Sequence, residues 1–396
     1  MFTRTVALTA GALVLGTNIG TAPPSPLPAL AQAARLPHCG LSTPWPWRDS
    51  TIAYAPTAQV PVGSRYATHS ASAKQYMPAR GDIRVLSGPG YGLEQPVDMV
   101  VSENNVFVAN SDGNSLTELN ASTGKLVRVL RGIPYGFDFP VGMAVSGDNL
   151  FVADPGRKPG GGTVTQLNVA SGAAARVLSG PAYRFDSPVA LAPRGNDMFV
   201  VDAYGQSVTE LNTVTARFVR VVSGPAYKFD NPGPIALSGD DLFVANSGTN
   251  SITEVNAATG ALVRVISGSA YQLTGPIAIV PSGQDLFVAD YSSASGSSGG
   301  HALSEISATT GSLVRVLSGR AYEFSTPTAL ALSGNDLFVA NSVGDSVTEL
   351  NASTGALVRV MSGPAYRFNW PDALVVHKGR LFAANFYGNS VTEILL

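Results

Sequence analysis

From residue 81 onward the chain repeats one unit, and this constrains its fold more than any other feature. The unit is clearest at Leu337-Phe-Val-Ala-Asn341, followed by Ser346-Val-Thr-Glu-Leu-Asn351, Leu357-Val-Arg-Val360 and Asp372-Ala-Leu-Val-Val376. Copies of its second strand begin at Val106, Leu150, Met198, Leu242, Leu286, Leu337 and Leu381, spaced 44, 48, 44, 44, 51 and 44 residues apart. A period in the forties with four short β-rich runs per unit is the mark of a β-propeller. Helical repeats would need amphipathic helices, and none is visible. Val, Leu, Phe and Thr fill runs of four to seven residues, bracketed by Gly, Asn, Asp, Ser or Pro. Segments such as Asn351-Ala-Ser-Thr-Gly355 and Asn256-Ala-Ala-Thr-Gly260 read as tight hairpin loops with glycine at a positive φ.

The two ends of the repeat complement each other. With strands named A to D outward from the axis, the C-terminus supplies A, B and C of a last unit and then stops at Leu396. Asp82-Ile-Arg-Val-Leu-Ser-Gly88 matches the D strand Leu357-Val-Arg-Val-Met-Ser-Gly363 and has no A to C before it. The expectation is an all-β, seven-bladed propeller of four-stranded antiparallel blades over 81–396, closed when the N-terminal strand completes the last blade. Closure pairs edge groups that would otherwise stay open.

The unit Leu337-Phe-Val-Ala-Asn-Ser-Val-Gly-Asp-Ser-Val-Thr-Glu-Leu-Asn-Ala-Ser-Thr-Gly355 resembles the YVTN repeat of bacterial and archaeal surface propellers. It is similar, more distantly, to NHL repeats. The resemblance implies a propeller fold, in families that include binding, scaffold and sensor proteins and a few enzymes.

Composition narrows the function classes. Lys and Arg number 25 against 27 Asp and Glu, a net charge of −2, so no sequence-wide basic field invites nucleic acid. One cysteine among 396 residues excludes an internal disulfide framework, and Cys39 reads as a lone thiol. Residues 1–34 have the layout of a secretory signal: Arg4, then the apolar run Val6 to Leu15, then Ala29-Leu-Ala-Gln-Ala33 as a cleavage site. Residues 35–80 read as a flexible linker rich in Pro, Ser, Thr and Ala. Arg80-Gly81-Asp82 is a chance tripeptide at the start of a strand. The expected protein is secreted, monomeric, without a membrane span once the signal is removed, and bound to a protein or glycan at the cell surface.

Residues repeated in every unit belong to the fold. The tyrosines Tyr91, Tyr135, Tyr183, Tyr227, Tyr271, Tyr322 and Tyr366 are expected to wedge between blades. The ring Asn110, Asp154, Asp202, Asn246, Asp290, Asn341 and Asn385 is expected to cap the B–C turn, and the strand-C glutamates from Glu118 to Glu393 to partner backbone groups. Departures from the repeat are better functional clues. Two insertions fall in B–C loops, Pro155-Gly-Arg-Lys-Pro-Gly-Gly-Gly162 and Tyr291 to His301, which makes Arg157, Lys158 and His301 candidate ligand-binding residues. Asp98 replaces the small residue found at Gly142, Ala190, Ala278, Ala329 and Ala373, and Asp372 starts the A strand that closure brings beside it. These two carboxylates are the candidate site for a hard cation such as Ca²⁺.

The first functional reading is a non-catalytic binding or scaffold module acting through its loop-rich face. A lactonase-like or streptogramin-lyase-like propeller enzyme is the alternative. A lactonase of this kind would use Glu, Asn and Asp around a divalent ion at the channel mouth, where only Asp98 and Asp372 stand; a lyase would need a histidine pair, and the repeat region holds only His301 and His377. An extracytoplasmic sensor or cell-wall module is the third class.

Overall fold

The computed structural model describes residues 82–158, 160–290 and 301–396. The proposed signal, the linker and Cys39 lie outside the described residues. Seven four-stranded antiparallel sheets make up the fold, and each A strand touches the A strand of the next blade around a closed ring. Blade 1 consists of Pro96–Ser102, Asn105–Asn110, Ser115–Asn120 and Leu126–Arg131. Blades 2 to 6 cover 142–178, 188–223, 232–267, 276–317 and 327–362 in the same A-B-C-D order. Blade 7 takes Pro371–His377, Arg380–Asn385 and Ser390–Leu395 from the C-terminal end and Ile83–Ser87 from the other. The closing strand pairs with Ser390–Leu395 from Ile83↔Ile394 to Ser87↔Ser390, so the ring closes as the sequence predicts.

Blade contacts are apolar and periodic. Strand B carries Phe107, Phe151, Phe199, Phe243, Phe287, Phe338 and Phe382, all fully buried. Burial of one such ring contributes roughly 2–3 kcal/mol. At the closure, Leu86 of the incoming strand packs with Phe382, Ala384 and Val391 of blade 7 and Met99, Val106 and Leu119 of blade 1.

Polar groups repeat as strictly. The tyrosines do wedge between blades: Tyr227 donates its hydroxyl to the Gly260 carbonyl at 2.8 Å, in the C–D hairpin of the blade that follows. The Tyr–Phe pairs of five loops stack at 5.2–5.6 Å. The glutamates differ from expectation. Each pairs with an arginine on strand D, as Glu254 does with Arg264 at 2.7 Å, because the C–D register sets the two side by side on one face. At the closure Glu393 takes Arg84 from the incoming strand and Arg380 from strand B. Blade 2 has Gln166 opposite Arg176 instead. The Asn/Asp ring divides by side chain. Asp202 accepts backbone N–H groups from Asp186, Ser187 and Gly205, capping the turn as expected. Asn246 instead donates to Ser251 and Thr253, and Thr253 passes the chain to the Tyr227 carbonyl at 2.6 Å. An amide carries donors that a carboxylate lacks, so the asparagines add these bonds, while Asn341 and Asn385 still accept a loop N–H from Ser325 and Asn369 as Asp202 does from Asp186.

Candidate functional site

B–C and D–A loops meet on one face of the ring. Ser111 and Gly113 of the first B–C loop donate their N–H groups to Gln95 and Glu94 of the D–A loop before it. The face is tied from blade to blade by a recurring latch. Asn389 Oδ1 accepts from the Gln95 N–H at 2.8 Å, Asn114 from Phe139 at 3.0 Å, Asn250 from Gly275 at 2.8 Å and Asp345 from Trp370 at 2.7 Å. All four acceptors hold φ between 45° and 50°, a left-handed conformation that Asn and Asp tolerate. Each A strand starts at this face, so the first residues of A line the mouth of the central channel.

Ring closure places strands A of blades 7 and 1 side by side and brings Asp372 near Asp98, as the sequence predicts. Asp98 is held: its carboxylate accepts the N–H of Met99 at 2.8 Å and of Met143, in blade 2, at 2.7 Å. It therefore bridges two blades. Asp372 sits where the pairing of strands A and B slips between Pro371 and Ala373, a bulge that re-aims one side chain. Among the described residues no hydrogen-bond donor reaches its carboxylate. Both side chains keep some surface open to the channel but are otherwise enclosed. Burial pushes Asp98 up to about 7 despite its two N–H bonds, which pull the other way. Asp372 is pushed up to about 7 by burial first and the Asp98 charge second. Two carboxylates so placed titrate as a pair, and near neutral pH they share protons.

Among the described residues no group of three or more His, Cys, Asp or Glu side chains converges as a metal site. Asp98 and Asp372 alone supply a small part of the six to eight oxygens that Ca²⁺ takes.

The other sequence candidates lie apart. Arg157, on the blade 2 insertion, pairs with Asp112 at 3.1 Å and Asp138 at 3.3 Å and covers the Phe139 ring at 5.3 Å. It bridges blade 1 and blade 2, and all three side chains stay about half exposed. Lys158 beside it is exposed. His301 precedes strand C of blade 5, two blades from Asp372, half-buried and with Nδ1 unpartnered among the described residues; burial lowers its pKa. The remainder of that insertion, 291–300, lies outside the described residues. His377 ends strand A at the opposite face, so the two histidines do not form a pair.

Sequence reasoning missed the aromatic corner of blade 7. Tyr387 meets Trp370 edge to face at 5.3 Å and Phe386 at 4.8 Å. Phe386 stands where blades 1, 4 and 6 have Ser111, Ser247 and Ser342 and blade 3 has Ala203, whereas the position of Tyr387 also holds a tyrosine, Tyr204, in blade 3. That departure was visible in the repeat, but only the fold brings Trp370 against it.

No protein-family profile matches the chain. No curated protein matches it either. Solved structures do resemble it. A streptogramin B lyase superposes with a TM-score of 0.64 at 15% identity, covering 78% of this chain and 96% of its own. A catalytically inactive virginiamycin B lyase from Staphylococcus aureus with quinupristin gives 0.64 at 15%, covering 79% and 99%. U3-55K gives 0.64 at 16%, covering 81% and 100%. At such identities the likeness shows the fold alone. The chain is a seven-bladed β-propeller of four-stranded antiparallel blades.

Proposed function

We propose that the chain is a secreted or cell-surface binding propeller of the YVTN/NHL kind, which holds a protein or glycan ligand on its loop-rich face without catalysing a reaction. One observation carries this reading: Asp98, Asp372, Phe386 and the blade 2 insertion depart from the repeat, and all lie on that face. The repeat itself accounts for the fold, so residues that break it on one face answer to something other than folding. Exposed aromatic side chains suit such a surface because they bury much area at small entropic cost.

The lyase alternative takes its support from the two lyase structures the fold resembles. It requires a histidine pair, and His301 and His377 stand at opposite ends of their blades.

The test is binding of labelled full-length protein to intact cells of the native host. A Val343→Ser, Tyr387→Ser variant of the loop-rich face should lose most of the binding. A Val127→Ser, Val263→Ser variant of the ring perimeter should keep it. Equal binding by both variants would overturn the assignment of the face. The same culture checks export: the mature chain should begin near Ala34 and appear outside the cytoplasm.

A further inference from the structure

The aromatic corner of blade 7 is built, not incidental. Phe386 is buried under Tyr387 and donates its N–H to the Trp370 carbonyl at 2.9 Å. The Trp370 N–H is held in turn by Asp345. Two loops of different blades thus fix the rings, while Tyr387 keeps 56% of its surface exposed. Val343 of blade 6, also 56% exposed, belongs to the same B–C loop as Asp345. At the position of Trp370 the other blades carry Gln95, Phe139, Ser187, Asn231, Gly275 and Thr326.

Three carboxylates lie near this corner, and Arg367 precedes Trp370 by three residues on the same loop. Asp372 follows Trp370 by two residues, which puts their Cα atoms within about 7 Å. Asp98 lies beside Asp372 across the closure, and Asp345 lies on the other side of Trp370. No basic side chain pairs with any of the three among the described residues. Arg157 is already engaged by Asp112 and Asp138.

We propose that the aromatic and acidic corner formed by Trp370, Tyr387, Asp372 and Asp98 binds an alkylammonium group carried by the ligand of the loop-rich face. The proposal rests on the reading of that face as a binding surface. Aromatic faces attract a weakly hydrated cation through their quadrupole, and an adjacent carboxylate supplies the counter-charge. A neutral sugar stacks on the rings but leaves the carboxylates uncompensated. A bare metal ion finds two carboxylates and no third strong ligand.

The experiment is calorimetric titration of the full-length protein with choline and with 3,3-dimethylbutan-1-ol, which has the same shape without the charge. N-acetylglucosamine and calcium chloride are the further arms. Choline should bind saturably and at least tenfold more tightly than the alcohol. Asp372→Asn and Tyr387→Leu should each weaken it at least tenfold, and Tyr387→Phe should leave it within about twofold, with melting curves confirming that the variants fold. The proposal is overturned by absence of saturable choline binding, by equal affinity for the neutral alcohol, or by an Asp372→Asn variant that binds choline unchanged. Saturable calcium binding that displaces choline would overturn it as well. If N-acetylglucosamine binds instead and Tyr387→Leu abolishes it, the ammonium assignment falls while the binding face stands. The cell-binding comparison of face and perimeter variants decides the face by itself.

Discussion

Asp372 is the residue whose burial is least offset by its neighbours, since both burial and the Asp98 charge raise its pKa. Its folded pKa, about 7, lies above the ordinary aspartate value of 3.8, so between these values the folded state binds the extra proton. Its contribution to stability is therefore complete below about pH 4, declines as pH rises, and is lost above about 7. Asp372→Asn removes that loss along with the repulsion from Asp98. The variant should match wild type at pH 4 and exceed it at pH 8 by on the order of 1–3 kcal/mol, discounted for the side open to the channel. Denaturant melts at the two pH values check this, and a variant weaker at pH 8 would be the contrary outcome. Asp98→Asn is a poorer probe, because an amide would set N–H groups against those of Met99 or Met143. Gly124 is a second residue-scale case. Its φ is 65°, and a Cβ there would stand 2.7 Å from the Arg84 guanidinium and 2.8 Å from Leu86, both on the closing strand. Gly124→Ala should cost about 1–3 kcal/mol of stability, the left-handed penalty plus displacement of those side chains. Ala216, at the same hairpin position of blade 3, holds φ 55° within a core pocket beside Leu178. The cost is thus bearable where space exists.

The elements solve two problems, edges and buried charge. Strand D of each of blades 1 to 6 slips register by one residue against strand C, at Val127, Ala175, Val219, Val263, Val314 and Val358. A bulge on an outermost strand twists the edge and discourages pairing with another molecule, which leaves valines exposed on the perimeter without a continuous flat edge. In blades 1, 3, 4, 5 and 7 the Glu–Arg pairs are lopsided. Glu254 is buried, and burial raises its pKa even though Arg264 pulls it down, while the arginine keeps about a third of its side chain exposed. Arg264→Ala strands a buried carboxylate, whereas Glu254→Gln leaves a guanidinium that can turn to water. The arginine deletion should cost about 2 kcal/mol more than the glutamate substitution. Chemical denaturation of the two variants measures the difference, and equal costs would mean the glutamate is effectively solvated.

At the scale of the whole molecule, stability depends on closure. The Ile83–Ser87 strand covers the edge of Ser390–Leu395 and inserts Leu86 into the core shared by blades 7 and 1. Deleting 81–88 opens that edge, removes Arg84 from Glu393 and leaves Leu86's place empty. The melting temperature should fall by more than 10 °C, against little change on deleting 40–60 as a length control. A cavity of the Leu86→Ala kind alone costs about 2–5 kcal/mol. Equal melting temperatures for the two deletions would show that the ring closes otherwise. The same geometry explains why the candidate site lies at the seam: residues almost three hundred positions apart meet only when the first strand joins the last.

How much was legible in the sequence follows from what repetition encodes. Seven copies of a β-rich unit, a missing D strand at one end and a spare one at the other determined the fold, the blade count and the closure, because short-range strand patterning and edge pairing leave no other arrangement. The tyrosine wedges were readable for the same reason, and so was the meeting of Asp98 with Asp372, which follows from topology alone. The Glu–Arg pairs were not, because they depend on which residues of strands C and D fall opposite each other across a bulge. Tertiary structure also decided that Arg157 is engaged by Asp112 and Asp138, and that Asp372 sits in a bulge without a donor. It set Trp370 against Tyr387, since contacts between loops of one face depend on three-dimensional spacing that no linear pattern records.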